Sequence, residues 1–348
     1  MTTHRGKLNR RHFIGKITAA GAGITALGFS ACRLRLAQSQ GPGTTPTPVE
    51  KSAELPAGKS KLILARHDHA VTGGVIDNSV VADMLERSMM TFTGADSAKE
   101  AWSSLFSPDD VVGVKINCLF GPGASTHPEV TAAVVAGLIS GGVQPENIIV
   151  WDFRDKDLIK TGYQINRDGP GPRCYGNDGL YESEPTRHRS FNGRISKILT
   201  QQITALVNVP ILKDHATSGI TVSMKNHYGS FDNPNKHHGN NCDPYIADFN
   251  SLDVVRQKTR LIICDALLPV ANGGPNARPE YTWEYKGLMM SKDPVALDHW
   301  GWRIIEERRK EIGLPTLAEA KKPARQLASA AALGLGANDP EQIELVEV

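Results

Sequence analysis

The sequence predicts an α/β fold: a mostly parallel sheet with helices on both faces, in one large domain that carries an irregular insertion. Short apolar runs rich in β-branched residues recur at Lys61–Arg66 (KLILAR), Val111–Asn117 (VVGVKIN), Asn147–Phe153 (NIIVWDF), Ile203–Val209 (ITALVNV) and Arg260–Ala266 (RLIICDA), with a weaker sixth at Tyr285–Ser291 (YKGLMMS). These runs are near-continuous rather than alternating, the pattern of strands buried on both faces. Helical patterns lie between them, and strands that alternate with helices build a largely parallel sheet.

Each helical pattern has its own signal. Val80–Met90 is amphipathic, with Val81, Leu85 and Met89 at four-residue spacing. Thr126-His127-Pro128-Glu129 reads as a capping box with proline in the first turn, opening a helix that ends near Gly141-Gly142. Asp293-Pro294 opens another, through Trp300, Ile304 and Ile305 to about Ile312; Asp293 fits an N-cap as well as a ligand. Residues 154–197, rich in Gly, Pro, Arg and Asp, form the insertion, either a lid over the site or a surface loop. Repeats and transmembrane spans are not expected.

Ahead of the domain, residues 1–37 have the layout of a twin-arginine signal peptide. Asn9-Arg10-Arg11-His12-Phe13-Ile14 supplies the arginine pair, and a weakly apolar run follows from Ile14 to Ala31. Cleavage near Ala37 would give a soluble periplasmic protein; lipidation at Cys32, within a lipobox-like Phe29-Ser30-Ala31-Cys32, is the alternative. Residues 38–58 form a Pro/Thr-rich linker before the domain at 59–348. The translocase is the partner this leader implies.

The leader also distorts the charge. The whole chain is +2, but the first forty residues hold seven Lys/Arg and no Asp/Glu, leaving 32 basic against 37 acidic residues beyond them. Apparent basicity therefore belongs to targeting, and nucleic-acid binding has no global support. Cys118, Cys174, Cys242 and Cys264 lack the close spacing of a ferredoxin cluster or zinc knuckle, which argues against a cysteine-ligated iron–sulfur centre.

Chemistry concentrates at strand ends, where open α/β sheets bind ligands. Lys115 sits inside an apolar run, costly for a lysine that neither pairs nor does chemistry, with Asn117 just beyond it. Pro210 cannot donate to a ladder, so the strand should end near Val209 and leave Lys213-Asp214-His215 in a loop. Lys225-Asn226-His227 follows ten residues later, after a segment that fits a strand or a helix. His237 and His238 lie in a polar run, and with His215 and His227 they make a candidate nest for a divalent metal. Asp152 and Asp265 end strands, and Arg66-His67-Asp68-His69, Asp298 and the loop 271–279 are further candidates.

At VVGVKIN, PILKDH…SMKNHYGSF and CDALLPVANGGP…SKDPVALD the chain resembles the family described as domain of unknown function 362, over most of residues 61–300. Many members of that family carry a ferredoxin-like cysteine module, which this sequence lacks. The resemblance implies no particular reaction.

Two functions fit. In the first, an exported enzyme, oxidoreductase or hydrolase, acts on a small anionic ligand. Lys115, Asn117, Lys213 and Asn226 would bind the substrate, and His215, His227, Lys225 and Asp265 would carry catalysis. In the second, the same groups capture a metal or anionic solute without turnover. The cofactor is undetermined. Neither GxGxxG after a strand nor GxSxG is present, so nicotinamide and serine-hydrolase readings have no support.

Overall fold

A computed structural model describes residues 58–348; the expected leader and most of the linker lie outside them. The domain is organised on one ten-stranded sheet. In chain order its strands are β1 (Ser60–Arg66), β2 (Val112–Lys115), β3 (Ile148–Asp152), β4 (Arg173–Gly176), β5 (Ala205–Asn208), β6 (Ile211–His215), β7 (Gly219–Thr221), β8 (Thr259–Val270), β9 (Gly287–Ser291) and β10 (Ile343–Glu347). Across the sheet the order is β10-β1-β9-β8-β5-β2-β3-β4, with β6 joined to β8 and β7 to β6.

The β8-β5-β2-β3-β4 half is parallel throughout. β9 runs antiparallel between β1 and β8. The α/β class is thus as the sequence implied, with an antiparallel strand set into a mostly parallel sheet.

Both faces are covered, which explains the continuous apolar runs. Ile63, Val112, Val114, Ile148 and Val150 face a layer built from the helices Asn78–Thr93, Ala98–Ser103 and Pro128–Ser140, through Met84, Trp102 and Val134. Their neighbours Leu62, Leu64, Ile149, Trp151 and Cys264 face the other layer. That layer includes Phe249, Ile304 and Ile305, from Tyr245–Asn250 and Pro294–Glu311. Among the described residues no helix is long and apolar enough to cross a membrane.

Three local expectations change. Lys213-Asp214-His215 is strand β6, not loop: the Pro210 carbonyl accepts from Asp265 N at 2.8 Å, and pairing with β8 starts at Ile211↔Asp265 and continues, after a register shift, at Lys213↔Val270. The capping box does not form. His127 is the N-cap and makes no side-chain cap, because Thr126 Oγ1 is already engaged with Val209 O and Asn117 N. The segment 154–197 contributes β4, the outermost strand of the parallel half, and buries Phe191 and Ile195. Asp293 is an N-cap, accepting from Val295 N and Ala296 N at 2.8 Å.

Candidate functional site

β2, β3 and β6 bring their C-terminal ends together, and the loops beyond them enclose a cavity of about 270 Å³. Asn117, just beyond β2, and Asp152, at the end of β3, line it with Lys213 and His215 of β6. Lys225, Tyr228, Gly229 and His238 close it from the segment after β7.

That segment owes its path to buried anchors. After β7 the chain turns into a short helix, Ser223–Asn226. Asp298, from the helix Pro294–Glu311, accepts from Ser223 N at 2.7 Å, Ser223 Oγ at 2.5 Å and Met224 N at 3.2 Å. Burial outweighs those bonds and pushes the Asp298 carboxyl up to about 7. The last turn of the short helix presents Lys225 to the cavity.

Lys115 is fully spoken for. Its Nζ donates to Asp152 Oδ1 and Ile116 O, both at 2.7 Å, and weakly to Asn226 Oδ1 at 3.4 Å. Asp152 Oδ2 accepts from Cys118 N at 2.6 Å. Asn226 is equally committed: its amide donates to Lys115 O and Asn208 Oδ1, while its oxygen accepts from Asn117 Nδ2. Lys115 and Asn226, expected to bind substrate, are therefore the buried frame behind the cavity wall.

Lys213 and Lys225 differ from Lys115 in having no carboxylate partner among the described residues. Lys213 Nζ donates to Ala124 O at 2.6 Å and Asn117 Oδ1 at 3.0 Å. Lys225 Nζ lies 3.4 Å from the centre of the Tyr228 ring and 3.3 Å from His238 Nε2. Burial lowers Lys213 to about 8 against the opposing pull of Asp152. Lys225 falls to about 7, through burial and the neighbouring charge of Lys213.

The two cavity histidines are held as opposite tautomers. His215 Nδ1 accepts from Thr217 N and Ser218 N, at 3.1 and 3.2 Å, so in the neutral ring the proton sits on Nε2. His238 Nδ1 faces Pro234 O at 3.0 Å and must donate, which leaves Nε2 as the acceptor facing Lys225. The rings stack with centroids 5.6 Å apart. Burial, reinforced by Lys225, holds both imidazoles below their ordinary range, His238 at about 4.

The other expected site residues lie elsewhere. His227 is buried against Phe249, lowered to about 3 by burial and Lys115, and borders a separate cavity of about 840 Å³. Gly58 is among the residues that line that larger space, and its Lys61 and Asp293 are engaged, with the carbonyls of Thr91 and Phe92 and with a helix N-terminus. His237 is packed among Phe191, Phe231 and Tyr245. Among the described residues no three His, Cys, Asp or Glu side chains stand close enough to hold a metal ion. The four-histidine nest is not assembled, because aromatic packing takes His237 and a different cavity takes His227.

Asp265 is also outside the cavity. Its Oδ2 accepts from His127 N at 2.8 Å and contacts His127 Nδ1 at 2.7 Å. Burial penalises the His127 imidazolium, yet the Asp265 carboxylate holds it above its usual range. The histidine that Asp265 orients is thus His127, hidden in the sequence within an apparent cap. Asp214 ties down the loop 271–279 instead of facing ligand: it accepts from Gly274 N and Lys322 Nζ, both at 2.6 Å. Arg66, His67, Asp68 and His69 border their own shallow cavity beside Lys286. Tyr228 and Lys322 gave no sequence signal beyond their residue type.

No curated protein matches this chain. A crystal structure of a protein from Thermotoga maritima aligns with a TM-score of 0.36 and 9% identity, covering 70% of this chain and 61% of that one. The chain thus spans less than two thirds of that structure's length. The sequence model of the family described as a domain of unknown function, DUF362, matches residues 112–303, which include β2 to β9, the cavity lysines and both cavity histidines. With more than half of its length matched, the chain belongs to the DUF362 family.

Proposed function

We propose that this is an enzyme, exported by the twin-arginine route to the periplasm, that binds a small carboxylate or phosphate between Lys213 and Lys225. One observation carries the reading: two buried amines border one cavity, and neither has a carboxylate partner among the described residues. Leaving such groups unpaired is expensive, and an anion arriving from solvent supplies the missing charge. A cavity of about 270 Å³ suits a small ligand. His215 contributes a neutral Nε2–H donor and His238 a neutral acceptor, so the site has acid–base capacity that capture alone does not require.

Titration calorimetry of the full chain with inorganic phosphate and with small mono- and dicarboxylates tests the anion site. Binding that disappears in Lys213→Met and Lys225→Met supports it. A wild-type protein that takes up none of these anions, or variants that bind as well as wild type, would sink it. Export is tested by whether the N-terminal segment is removed in cells with an active twin-arginine translocase and retained without one.

A further inference from the structure

Lys225 has surroundings that a simple anion anchor does not need. An ammonium kept only to attract charge is best held by several acceptor oxygens, as Lys213 is, or left in water. The Lys225 amine instead lies against the face of Tyr228, in a cavity wall that also contains Phe120, Phe153 and Pro275. Among the described residues its one hydrogen-bond partner is an imidazole nitrogen fixed as a proton acceptor, since the Pro234 carbonyl ties up the other side of the His238 ring. Lys213 stands nearby as a second cation, so a doubly charged pair is disfavoured and one amine is pressed to give up its proton. A desolvated lysine beside another cation is the arrangement that makes an amine nucleophilic. On the same wall, His215 presents Nε2–H as a neutral donor, stacked on His238.

We propose that Lys225 is a nucleophile that condenses with the carbonyl carbon of a small oxo acid to form an imine, with the acid's carboxylate held by Lys213. This rests on the anion-site reading and adds covalent chemistry to it. His238 Nε2 takes one proton from the Lys225 ammonium in a transient, uphill transfer, since the imidazole stands at about 4 and the amine at about 7. The freed amine attacks the carbonyl carbon; a C–N bond forms, and the carbonyl π pair moves to oxygen, which His215 Nε2–H stabilises by hydrogen bonding. One proton passes from nitrogen to that oxygen, giving a carbinolamine. His238 returns its proton to the hydroxyl, the C–O bond breaks, and water leaves. The product is a protonated imine, which withdraws electrons from the adjacent carbons. The sequence of steps consumes no oxidant or reductant.

The full chain is incubated with pyruvate or glyoxylate, treated with borohydride, and mapped by peptide mass spectrometry, with phosphate calorimetry in parallel. The expected result is a reduced adduct predominantly on Lys225, lost in Lys225→Arg and reduced in Lys213→Met. Because the wild-type map locates the adduct by itself, a variant that fails to fold does not blunt the test. Adducts scattered over surface lysines, or none on Lys225, overturn the imine. If phosphate still binds in that case, the anion site stands without covalent chemistry. If neither phosphate nor oxo acid binds, both readings fall together.

Discussion

Lys115 Nζ and Asp152 Oδ1 meet at 2.7 Å, with both side chains almost completely shut off from solvent. The pair joins the C-terminal ends of two adjacent parallel strands, and Asp152 uses its second oxygen to fix the chain after Lys115 through Cys118 N. Removing one partner of such a pair leaves an uncompensated charge in the core, at a cost of about 3–5 kcal/mol. Lys115→Met is therefore expected to lower stability by roughly that amount. Denaturant unfolding measures it, and a variant as stable as wild type would show that the pair is not closed as described.

Lys225→Met is expected to behave in the opposite way. Lys225 is buried, has no carboxylate partner among the described residues, and is held at about 7 by desolvation. Replacing it with an apolar chain of similar length removes that cost and loses only the contact with Tyr228 and the bond to His238. Stability should stay level or rise while anion binding disappears, the trade expected where a site is kept strained for function. The two lysine variants, unfolded side by side near pH 7, separate frame from site. Equal losses would mean that Lys225 is structural too.

Proton linkage gives the pH dependence its sign. In the folded chain Lys225 and Lys213 are lowered to about 7 and about 8 from the ordinary lysine value of 10.5. Each favours the neutral form when folded, so their contribution to stability is present above the unfolded value and is lost as pH falls from about 10.5 toward 8 and 7. Anion binding runs the other way, because an anion favours the ammonium forms. Affinity for phosphate should decline as pH rises through the folded values, and binding between about pH 7 and pH 8 should take up protons. Calorimetry in buffers of different ionisation enthalpy reads that uptake; a proton count of zero across the range would contradict it.

How far the sequence discloses this molecule depends on where each signal has its partner. The six apolar runs all became strands, because burial on both faces leaves a continuous pattern in the chain itself. The last strand, Ile343–Glu347, lies at the sheet edge with only Ile343 buried, and its pattern is too short to register. At the site, Lys213, Lys225 and His215 stand out as polar and titratable groups clustered beyond a buried strand, and they do line one cavity. Lys115 stands out for a different reason, as a lysine inside an apolar run, although it is neutralised by Asp152, a partner 37 positions away that no spacing reveals. His127 was masked by a good helix-start motif, and its partner Asp265 lies 138 positions further along. Polar residues therefore mark the strand ends from sequence, while the division into frame and ligand wall is set by long-range pairing.

Gly229 tests the frame from the opposite side. It lies over the Lys115–Asp152 pair with so little clearance that a Cβ would overlap the Asp152 carboxylate and approach Lys115 Nζ to 2.8 Å. Neither neighbour is a free side-chain end that can swing aside, since Asp152 holds Cys118 N and Lys115 holds Ile116 O. The Gly229 carbonyl also accepts from Asn177 Nδ2 at 2.6 Å, which restricts any backbone retreat. Gly229→Ala is expected to cost about 1–3 kcal/mol through overpacking alone. Because Gly229 also lines the cavity, the shift should disturb anion affinity as well. Thermal unfolding and phosphate titration of this single variant check both effects. Wild-type values in both would mean that the segment bearing Lys225 packs less tightly on the ion pair than its geometry indicates.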